Sequence, residues 1–230
     1  NAAIDAADVT MARQQALATS PALDAEMPYW LAQLADAPAI PQADGHAAAT
    51  WRVARQRHIA LDRDATSELL GPVLAAQRLR INDVLLTAVG RALCNWTGSE
   101  EALLEVEGHG RDAFDDGEPL ELSRTVGWFT CLYPLRLRPT GEPGEALRAV
   151  KESIRGVPRA GIGYGVLRHL SKHGLELSAA GQARVTFNYL GQFDQQFDGD
   201  SVLRPASESA GHSQPQNAPL GNWLVINGRI

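Results

Sequence analysis

Apolar residues recur along the chain at two spacings, and these spacings divide the sequence into predicted helices and strands. Helical spacing predicts helices over residues 8–36, 81–98 and 144–158, with a shorter helix from residue 163. Alternating or continuous apolar runs predict strands over residues 51–61, 102–110, 124–139, 183–194 and 223–230. Helices that fall between strands predict an α/β protein in which helices cover one face of a sheet.

Several helix ends carry local signals of their own. Ser20 followed by Pro21 is typical of an N-cap and a first helical position. Asp62 or Asp64 can cap the helix that follows them, and Gly98 predicts the end of the helix that begins at residue 81. The core-facing residues predicted for that last helix are Val84, Leu85, Ala88, Leu93 and Trp96.

Two stretches have the composition of connections. Residues 37–50 contain two prolines, a glycine and many small side chains, and they are the best linker candidate in the first half of the chain. The composition of residues 204–222 predicts a long loop or a partly disordered segment. No internal repeat is visible.

Composition and charge exclude several classes of protein. A net charge of −6 argues against a nucleic-acid-binding protein, and no apolar run is long enough to span a membrane. The N-terminal residues lack the pattern of a secretory signal. Two cysteines, Cys94 and Cys131, are too few for a disulfide framework. Among the six histidines, His169 and His173 are four residues apart, but without an adjacent glutamate and a third ligand they are expected to be a surface pair. We therefore expect a reducing, cytoplasmic protein without a metal.

The segment EVEGHGRD, residues 105–112, places acid–base side chains where a predicted strand leaves the sheet. Glu107 follows the strand directly, and Gly108 allows a substrate to approach the backbone. Histidine side chains in general change charge near neutral pH, but the glycines on both sides of His109 mean that residue spacing does not predict the direction of its side chain. An ion pair between Glu107 and an arginine is the alternative that the residues alone leave open.

Five motifs occur in order: INDVLLTAVGRAL, EGHGRD, RTVGWFTCLYPLRL, PRAGIGYGVLR and FNYLGQFD. This series resembles the epimerization domain of non-ribosomal peptide synthetases, a branch of the condensation-domain superfamily. The resemblance runs from about residue 15 to the end of the chain. RTVGWFT together with FNYLGQFD favours epimerization over condensation domains. The glycine-rich GIGYG, residues 161–165, lacks the phosphate-loop pattern and predicts no nucleotide site.

The resemblance implies a chloramphenicol-acetyltransferase-like fold, in which two α/β lobes enclose a tunnel. Here it implies one such lobe, a mixed sheet with helices packed on it. The substrate is an aminoacyl or peptidyl thioester on the phosphopantetheine arm of a peptidyl carrier protein, and no cofactor is bound directly. The reaction interconverts the L and D configurations at the Cα beside the thioester. Inversion needs a base on one side of that carbon and an acid on the other.

The family also has a motif HHxxxDG in its first lobe, whereas this sequence has no adjacent pair of histidines. The resemblance therefore divides the chain into three parts. Residues 1–36 are the helical end of a first lobe, 37–50 a linker, and 51–230 a second lobe that is incomplete at its C-terminus. We expect the missing first lobe and neighbouring synthetase modules as partners, and an isolated chain that is inactive.

The resemblance also assigns roles to individual residues. It makes Glu107 the acid or base. Tyr189 can donate a hydrogen bond to the enolate oxygen or relay a proton, and the alternative that stays open is a half-buried tyrosine of the strand. Arg124 and Asn188 position the substrate. Because neighbours on a strand point to opposite faces, at most one of Asn188 and Tyr189 points straight into the site.

Other motif residues have supporting roles. His109 and Arg111 are expected to be structural, with Arg111 holding the turn through hydrogen bonds. Gly108 gives access, and Trp128 and Phe129 form the tunnel wall and core. Two alternatives remain open: a condensation domain that forms peptide bonds, and a non-catalytic module that docks a carrier protein. If the side chains of Glu107, Arg124 and Tyr189 do not converge on one cavity, the docking module becomes the better interpretation.

Overall fold

The computed structural model describes residues 2–41, 49–111, 125–191 and 214–230, together with Leu122, Glu208 and Gly211. The helices are α1 (Ala2–Leu17), α2 (Pro21–Asp24), α3 (Met27–Leu34), α4 (Arg63–Glu68), α5 (Leu74–Gln77), α6 (Ile81–Thr97), α7 (Pro143–Arg155), α8 (Ile162–Leu170) and α9 (Gly174–Ala180). The strands are β1 (Ala102–Gly108), β2 (Cys131–Leu137), β3 (Val185–Tyr189) and β4 (Leu224–Gly228). Short 3₁₀ turns cover Trp51–Val53 and Pro158–Gly161, and a π-helical turn covers Leu69–Val73.

The strands form one mixed sheet in the order β2-β1-β3-β4. β1 pairs antiparallel with β2, so that Glu107 lies opposite Leu132. β1 pairs parallel with β3, where Glu105 lies opposite Thr186, and β3 pairs parallel with β4. The predicted mixture of helices and strands is confirmed.

Alternation along the strands gives the sheet two different faces. The helix-covered face consists of Leu104, Val106, Tyr133, Leu135, Val185 and Phe187, all buried. On this face the ring of Trp30 in α3 lies 6.3 Å from that of Tyr133 and 5.2 Å from that of Tyr164 in α8. Helix α6 also reaches this side, since Gly90 lies against Leu137. The helices before the predicted linker thus share the core of the sheet.

The opposite face, called here the Glu107 face, consists of Glu105, Glu107, Leu132, Thr186, Asn188 and Val225. It is buried where β1 begins, at Leu103, and more open towards the end of that strand. There Leu132 is 43% exposed, and Val225 is 52% exposed. The sheet is therefore covered by helices on one side and partly open around Glu107 on the other.

The predicted helix ends are confirmed. The Ser20 hydroxyl accepts a hydrogen bond from the Leu23 amide at 3.2 Å, and Asp62 accepts one from the Ala65 amide at 2.8 Å. Gly98 ends α6 in the left-handed region, with φ of 69°. The predicted helix over residues 8–36 is divided in the structure, because the Ser20 cap starts a new helix.

The predicted buried face of α6 is only partly confirmed: Leu93 is buried and Leu85 packs against the core, whereas Ala88 and Trp96 are exposed. Trp96 is 51% exposed. The residues that α6 buries are Asp83, Leu86, Thr87, Gly90 and Leu93. The apolar surface of α6 is broader than its buried face, which combines the large side chains of Leu86 and Leu93 with Gly90, whose missing side chain allows close contact with Leu137. The Thr87 hydroxyl donates to the carbonyl of Asp83 at 2.6 Å, so its burial leaves no unpaired donor.

The predicted strand over residues 51–61 is wrong. Thr50 bridges to Pro219, and after the 3₁₀ turn the chain runs without regular structure to residue 62. Ile59 is 96% exposed. A strand needs a neighbour that pairs with its backbone groups, and within the described ranges no strand lies beside residues 54–61. None of the described helices has the length and apolar character required to cross a bilayer.

Two further predicted strands are shorter than expected. The strand over residues 124–139 contains only β2, since residues 125–130 form a loop before it. The strand over residues 183–194 contains only β3, and its last residues, 192–194, lie outside the described part of the chain. Most of the predicted loop at 204–222 also lies outside it, as do residues 42–48 of the predicted linker. The predicted division into lobes remains a prediction.

Candidate active site

Glu107 lies at the end of β1 on the open part of the Glu107 face, with its side chain partly exposed. Among the described residues, no side chain forms a hydrogen bond or ion pair with its carboxylate. Glu105, two residues earlier on the same face, differs: its Oε2 accepts hydrogen bonds from Thr186 Oγ1 at 3.2 Å and Asn222 Nδ2 at 2.8 Å. Glu105 is therefore committed to the sheet, while the Glu107 carboxylate is available for acid–base chemistry.

Asn188 shares this face with Glu107. The register that sets Glu105 opposite Thr186 and Val106 opposite Phe187 sets Asn188 level with Glu107 when it continues by one residue. The Asn188 side chain is partly exposed, and an amide can both donate and accept hydrogen bonds. The parallel pairing of β1 with β3 thus places a carboxylate and an amide side by side on an open surface.

The structure does not bring Tyr189 to the same place. Tyr189 follows Asn188 on β3, so its side chain lies on the helix-covered face, where it packs against the core. Its ring lies against Gly228 of β4, 3.4 Å from the position of a Cβ at that glycine. Strand alternation is the physical reason, and it selects Asn188 from the two candidates. Arg124 lies outside the described residues, so its predicted position beside Glu107 remains a prediction.

The turn after β1 is held by Arg111. Its guanidinium donates to the backbone carbonyls of Leu122, Thr125 and Gly127, and it stacks on the ring of Phe129 with 4.5 Å from Cζ to the ring centre. The geometry agrees with the predicted structural role of Arg111. It also explains why the chain before β2 forms a loop, since these carbonyls bond to the guanidinium instead of to a strand.

His109 belongs to the same turn. Its Nδ1 accepts a hydrogen bond from the Arg111 amide at 3.0 Å, which assigns the ring a tautomer with its proton on Nε2, and the side chain is exposed. Gly110 has φ of 63°, and a Cβ there would lie 1.6 Å from the carbonyl oxygen of Phe129. The GHG part of the motif therefore shapes a tight turn.

The structure gives a different reason for a glycine at position 108 from the predicted one. A Cβ at this position would meet Cys131 Sγ at 3.0 Å, the Tyr133 ring at 3.5 Å and the carbonyl oxygen of Ala160 at 3.6 Å. The space that the missing side chain leaves is filled by the protein itself. The prediction that Gly108 opens a path for substrate is therefore corrected: Gly108 allows the Pro158–Gly161 turn to pack against the end of β1.

The loop before β2 carries large apolar side chains into solvent. Trp128 is 88% exposed and Val126 is 92% exposed, whereas Phe129 is partly buried under Arg111. Exposed apolar surface of this kind beside Leu132 marks a contact surface. The tunnel wall predicted for Trp128 remains a prediction, and Phe129 is partly buried without belonging to the core of the sheet.

Glu26 is a buried carboxylate, 6% exposed, that the sequence patterns did not predict. Its Oε2 accepts a hydrogen bond from Trp30 Nε1 at 2.9 Å, and its Oε1 pairs with the Arg159 guanidinium. A Cβ at Gly163 would lie 2.2 Å from Glu26 Oε2. The sequence signal was present, since Glu26 and Trp30 are four residues apart on one helix face. The glycine-rich GIGYG therefore accommodates a carboxylate of the protein itself.

Other surface features lie away from Glu107. A groove of about 250 Å³ lies at the far end of the β1–β2 pair, lined by residues that include Arg91, Cys94, Ser99 and Pro139. Within the described ranges, no three His, Cys, Asp or Glu side chains are grouped as metal ligands. Of the predicted catalytic and positioning residues, Glu107 and Asn188 lie together at the end of β1, while Tyr189 does not.

The fold is similar to that of solved peptide-synthetase domains. The crystal structure of the epimerization domain from the third module of tyrocidine synthetase B superposes with a TM-score of 0.82 at 29% identity, covering 95% of this chain and 49% of that chain. The first condensation domain of the CDA synthetase gives a TM-score of 0.51 at 23% identity, covering 78% of this chain and 36% of that chain, and shows the fold alone. The chain therefore has the predicted chloramphenicol-acetyltransferase-like α/β fold.

The family follows from the sequence match. The family model of the condensation domain matches residues 10–217, and the chain belongs to this family. One of the linear gramicidin synthase proteins from Brevibacillus parabrevis is 41% identical over 220 residues, 93% of this chain and 3% of that protein. Surfactin synthase subunit 1 from Bacillus subtilis (strain 168) is 36% identical over 224 residues, 95% of this chain and 6% of that protein. The chain spans only a small part of the length of these relatives.

Proposed function

We propose that this chain is the Glu107-bearing part of an epimerization domain in a non-ribosomal peptide synthetase. Its substrate is an aminoacyl or peptidyl thioester carried on the phosphopantetheine arm of a peptidyl carrier protein. Glu107 exchanges the proton on the Cα next to the thioester. The acid or base on the other side of that carbon comes from a part of the domain outside these 230 residues.

One observation carries the choice of epimerization within the family. The tyrocidine synthetase epimerization domain matches 95% of the chain with a TM-score of 0.82, against 0.51 for the CDA synthetase condensation domain. The difference extends to identity, which is 29% for the former and 23% for the latter. The motifs RTVGWFT and FNYLGQFD point in the same direction.

The geometry supports acid–base chemistry at Glu107. Breaking the Cα–H bond leaves an electron pair that moves into an enolate, and a proton returned to the other face of the carbon gives the opposite configuration. A carboxylate without a partner among the described residues can accept and return such a proton. The Asn188 amide, level with Glu107, is placed to donate a hydrogen bond to an oxygen that gains charge during the reaction.

The test uses the intact synthetase that carries this chain, with a carrier protein loaded with an L-aminoacyl thioester in deuterium oxide. Deuterium incorporation at Cα and the D/L ratio of the released amino acid are measured by mass spectrometry and chiral chromatography. Glu107→Gln should lower the exchange rate by about 10²-fold or more. The control is Glu105→Gln, which changes a carboxylate on the same face that is committed to Thr186 and Asn222.

Two outcomes would contradict the proposal. Exchange that survives Glu107→Gln would remove Glu107 from the chemistry. Rapid exchange catalysed by the 230-residue chain alone would contradict the need for a second group from elsewhere in the domain.

The same synthetase and loaded carrier protein also test two alternative functions. Condensation is favoured by the family match itself, and it predicts a new peptide bond when donor and acceptor carrier proteins are both supplied. Docking without catalysis is favoured by the position of Tyr189, which does not converge with Glu107. It predicts that the carrier protein binds with neither exchange nor peptide formation.

A further inference from the structure

We propose that the buried ion pair between Glu26 and Arg159 is a positioning device that holds the end of β1, and with it Glu107, in place. This inference rests on the proposed function, because it concerns the geometry of the same acid–base residue. Glu26 and Arg159 would act through the backbone, without contact to substrate.

The first step is the burial of the pair. Within the ion pair, the side chains of Arg159 and Glu26 are 17% and 6% exposed. Glu26 lies at the start of α3, while Arg159 lies in the Pro158–Gly161 turn before α8, so the pair joins two distant parts of the chain. The carboxylate is fixed further by Trp30 Nε1 at 2.9 Å and by the close backbone of Gly163. Its position is therefore set from several sides.

The second step is the backbone that Arg159 belongs to. Arg159, Ala160 and Gly161 are three successive residues in the left-handed region, with φ of 43°, 49° and 90°. This conformation is unfavourable for residues with a side chain, and it persists only where the surroundings impose it. The ion pair imposes it at Arg159, and the Tyr133 ring, 1.9 Å from a Cβ at Gly161, admits only glycine there.

The third step connects the turn to the site. The carbonyl oxygen of Ala160 accepts a hydrogen bond from Cys131 Sγ at 3.7 Å and lies 3.6 Å from the Cβ position of Gly108. Cys131 and Gly108 are the last pair of the β1–β2 ladder, directly after the pair formed by Glu107 and Leu132. A turn that loses its ion pair would therefore release the end of β1 on the side opposite to the Glu107 carboxylate.

The choice of an ion pair supports a positioning role. A buried ion pair contributes little net stability compared with well-packed apolar residues, because both charges lose their hydration. What the pair provides here is a fixed direction for Arg159 and hence for the Ala160 carbonyl. Because the turn contacts Gly108, the direction of the Ala160 carbonyl affects the position of the end of β1 and therefore the site.

The first test measures the end of β1 in this chain through the thiol of Cys131. In a Cys94→Ser background, the rate of reaction with an aromatic disulfide reagent reports how accessible the partly buried Cys131 thiol is at this end of the strand pair. Glu26→Gln and Arg159→Met should each raise the rate by about fivefold or more. Arg159→Lys, which retains the charge, should restore a rate near that of the parent. Asp24→Asn is the control, since it removes a carboxylate paired with Lys172 and His173 at the surface.

The second test measures catalysis in the intact synthetase with the carrier-bound thioester. Glu26→Gln should lower kcat for Cα exchange by about tenfold or more with little change in KM, because the geometry of Glu107 changes and the binding surface does not. Arg159→Lys should recover most of kcat. Circular dichroism spectra and thermal unfolding identify a variant that does not fold, and Arg159→Met then serves in its place.

The outcomes separate this inference from the proposed function. Unchanged thiol reactivity and kcat in both Glu26→Gln and Arg159→Met would overturn the inference, while loss of exchange in Glu107→Gln would leave the function standing. Equal effects of Arg159→Lys and Arg159→Met would also overturn it, because the role would then be packing. If the parent synthetase shows no exchange, the function fails, and the thiol measurements alone decide whether the pair holds the end of β1.

Discussion

Gly163→Ala should destabilise the protein, although the ordinary expectation has the opposite sign. Gly163 lies within α8, and replacing a glycine in a helix by alanine usually stabilises by about 0.5–1 kcal/mol, because alanine loses less backbone entropy. In this structure the new methyl group would meet the buried carboxylate of Glu26. The sign of the change in the free energy of unfolding therefore tests the packing directly.

The magnitude follows from three distances. The alanine Cβ would lie 2.2 Å from Glu26 Oε2 and 2.9 Å from both Cδ and Oε1, all well inside van der Waals contact. The carboxylate cannot rotate away without losing Trp30 Nε1 or Arg159. Overpacking costs about 1–3 kcal/mol, and a weakened hydrogen bond to a charged group costs about 1.5–3 kcal/mol. We expect a net loss of about 2–4 kcal/mol after the helix propensity is subtracted.

Gly165→Ala is the matched control in the same helix. A Cβ at Gly165 has nothing within 4 Å, so this variant should be stabilised by about 0.5–1 kcal/mol. Urea unfolding followed by circular dichroism at 222 nm gives both free energies of unfolding, provided that the slope with denaturant stays the same. Stabilisation by Gly163→Ala equal to that of Gly165→Ala would refute the placement of Glu26 against α8.

Three further predictions concern groups outside this contact. Arg136→Met removes donors to the carbonyls of Gln33 and Ala35 and to Glu101, and it should lower the free energy of unfolding in urea by about 2–3 kcal/mol; a loss below about 0.5 kcal/mol would contradict the contacts. Burial, and then the charge of Glu101, raises the pKa of Cys94, so its thiol should react with a disulfide reagent more slowly at pH 7 than a free cysteine, with a rate that still rises above pH 9. Burial raises the pKa of Tyr29 to about 12, so stability should fall between pH 10 and 12, where the tyrosine of the unfolded chain ionises first. Tyr29→Phe should show a smaller fall in urea unfolding measured across that range, and an equal fall would contradict the prediction.

Local chemistry made part of the fold predictable. The caps at Ser20 and Asp62 and the glycine that ends α6 act within a few residues, so the sequence contains everything that determines them. The predicted strand at 51–61 failed for the converse reason. Its side chains suit a strand, but a strand exists only where another strand pairs with it, and that partner is not encoded nearby.

The residues of the candidate site also differ in whether local sequence or distant contacts determine them. Glu107 remains a prediction as the acid or base, and it rests on a family resemblance that is carried by consecutive residues around it. The choice of Asn188 over Tyr189 required the register between β1 and β3, which sequence alone does not give. Glu26 was not predicted because glutamate is rarely buried, and its burial is explained only by the positions of Arg159 and Gly163 in the structure.

The parallel pairing of β1 with β3 also sets an order of events during folding. Glu105 and Thr186 are 81 residues apart, whereas β1 and β2 are separated by a much shorter loop. Closing the longer loop costs about 1 kcal/mol more in chain entropy, so the β1–β2 ladder should form first. On the ribosome, β1 and β2 are synthesised long before Asn188 exists. Glu107 therefore gains its amide neighbour late, and the Glu107 face is completed only after the β1–β2 ladder has formed.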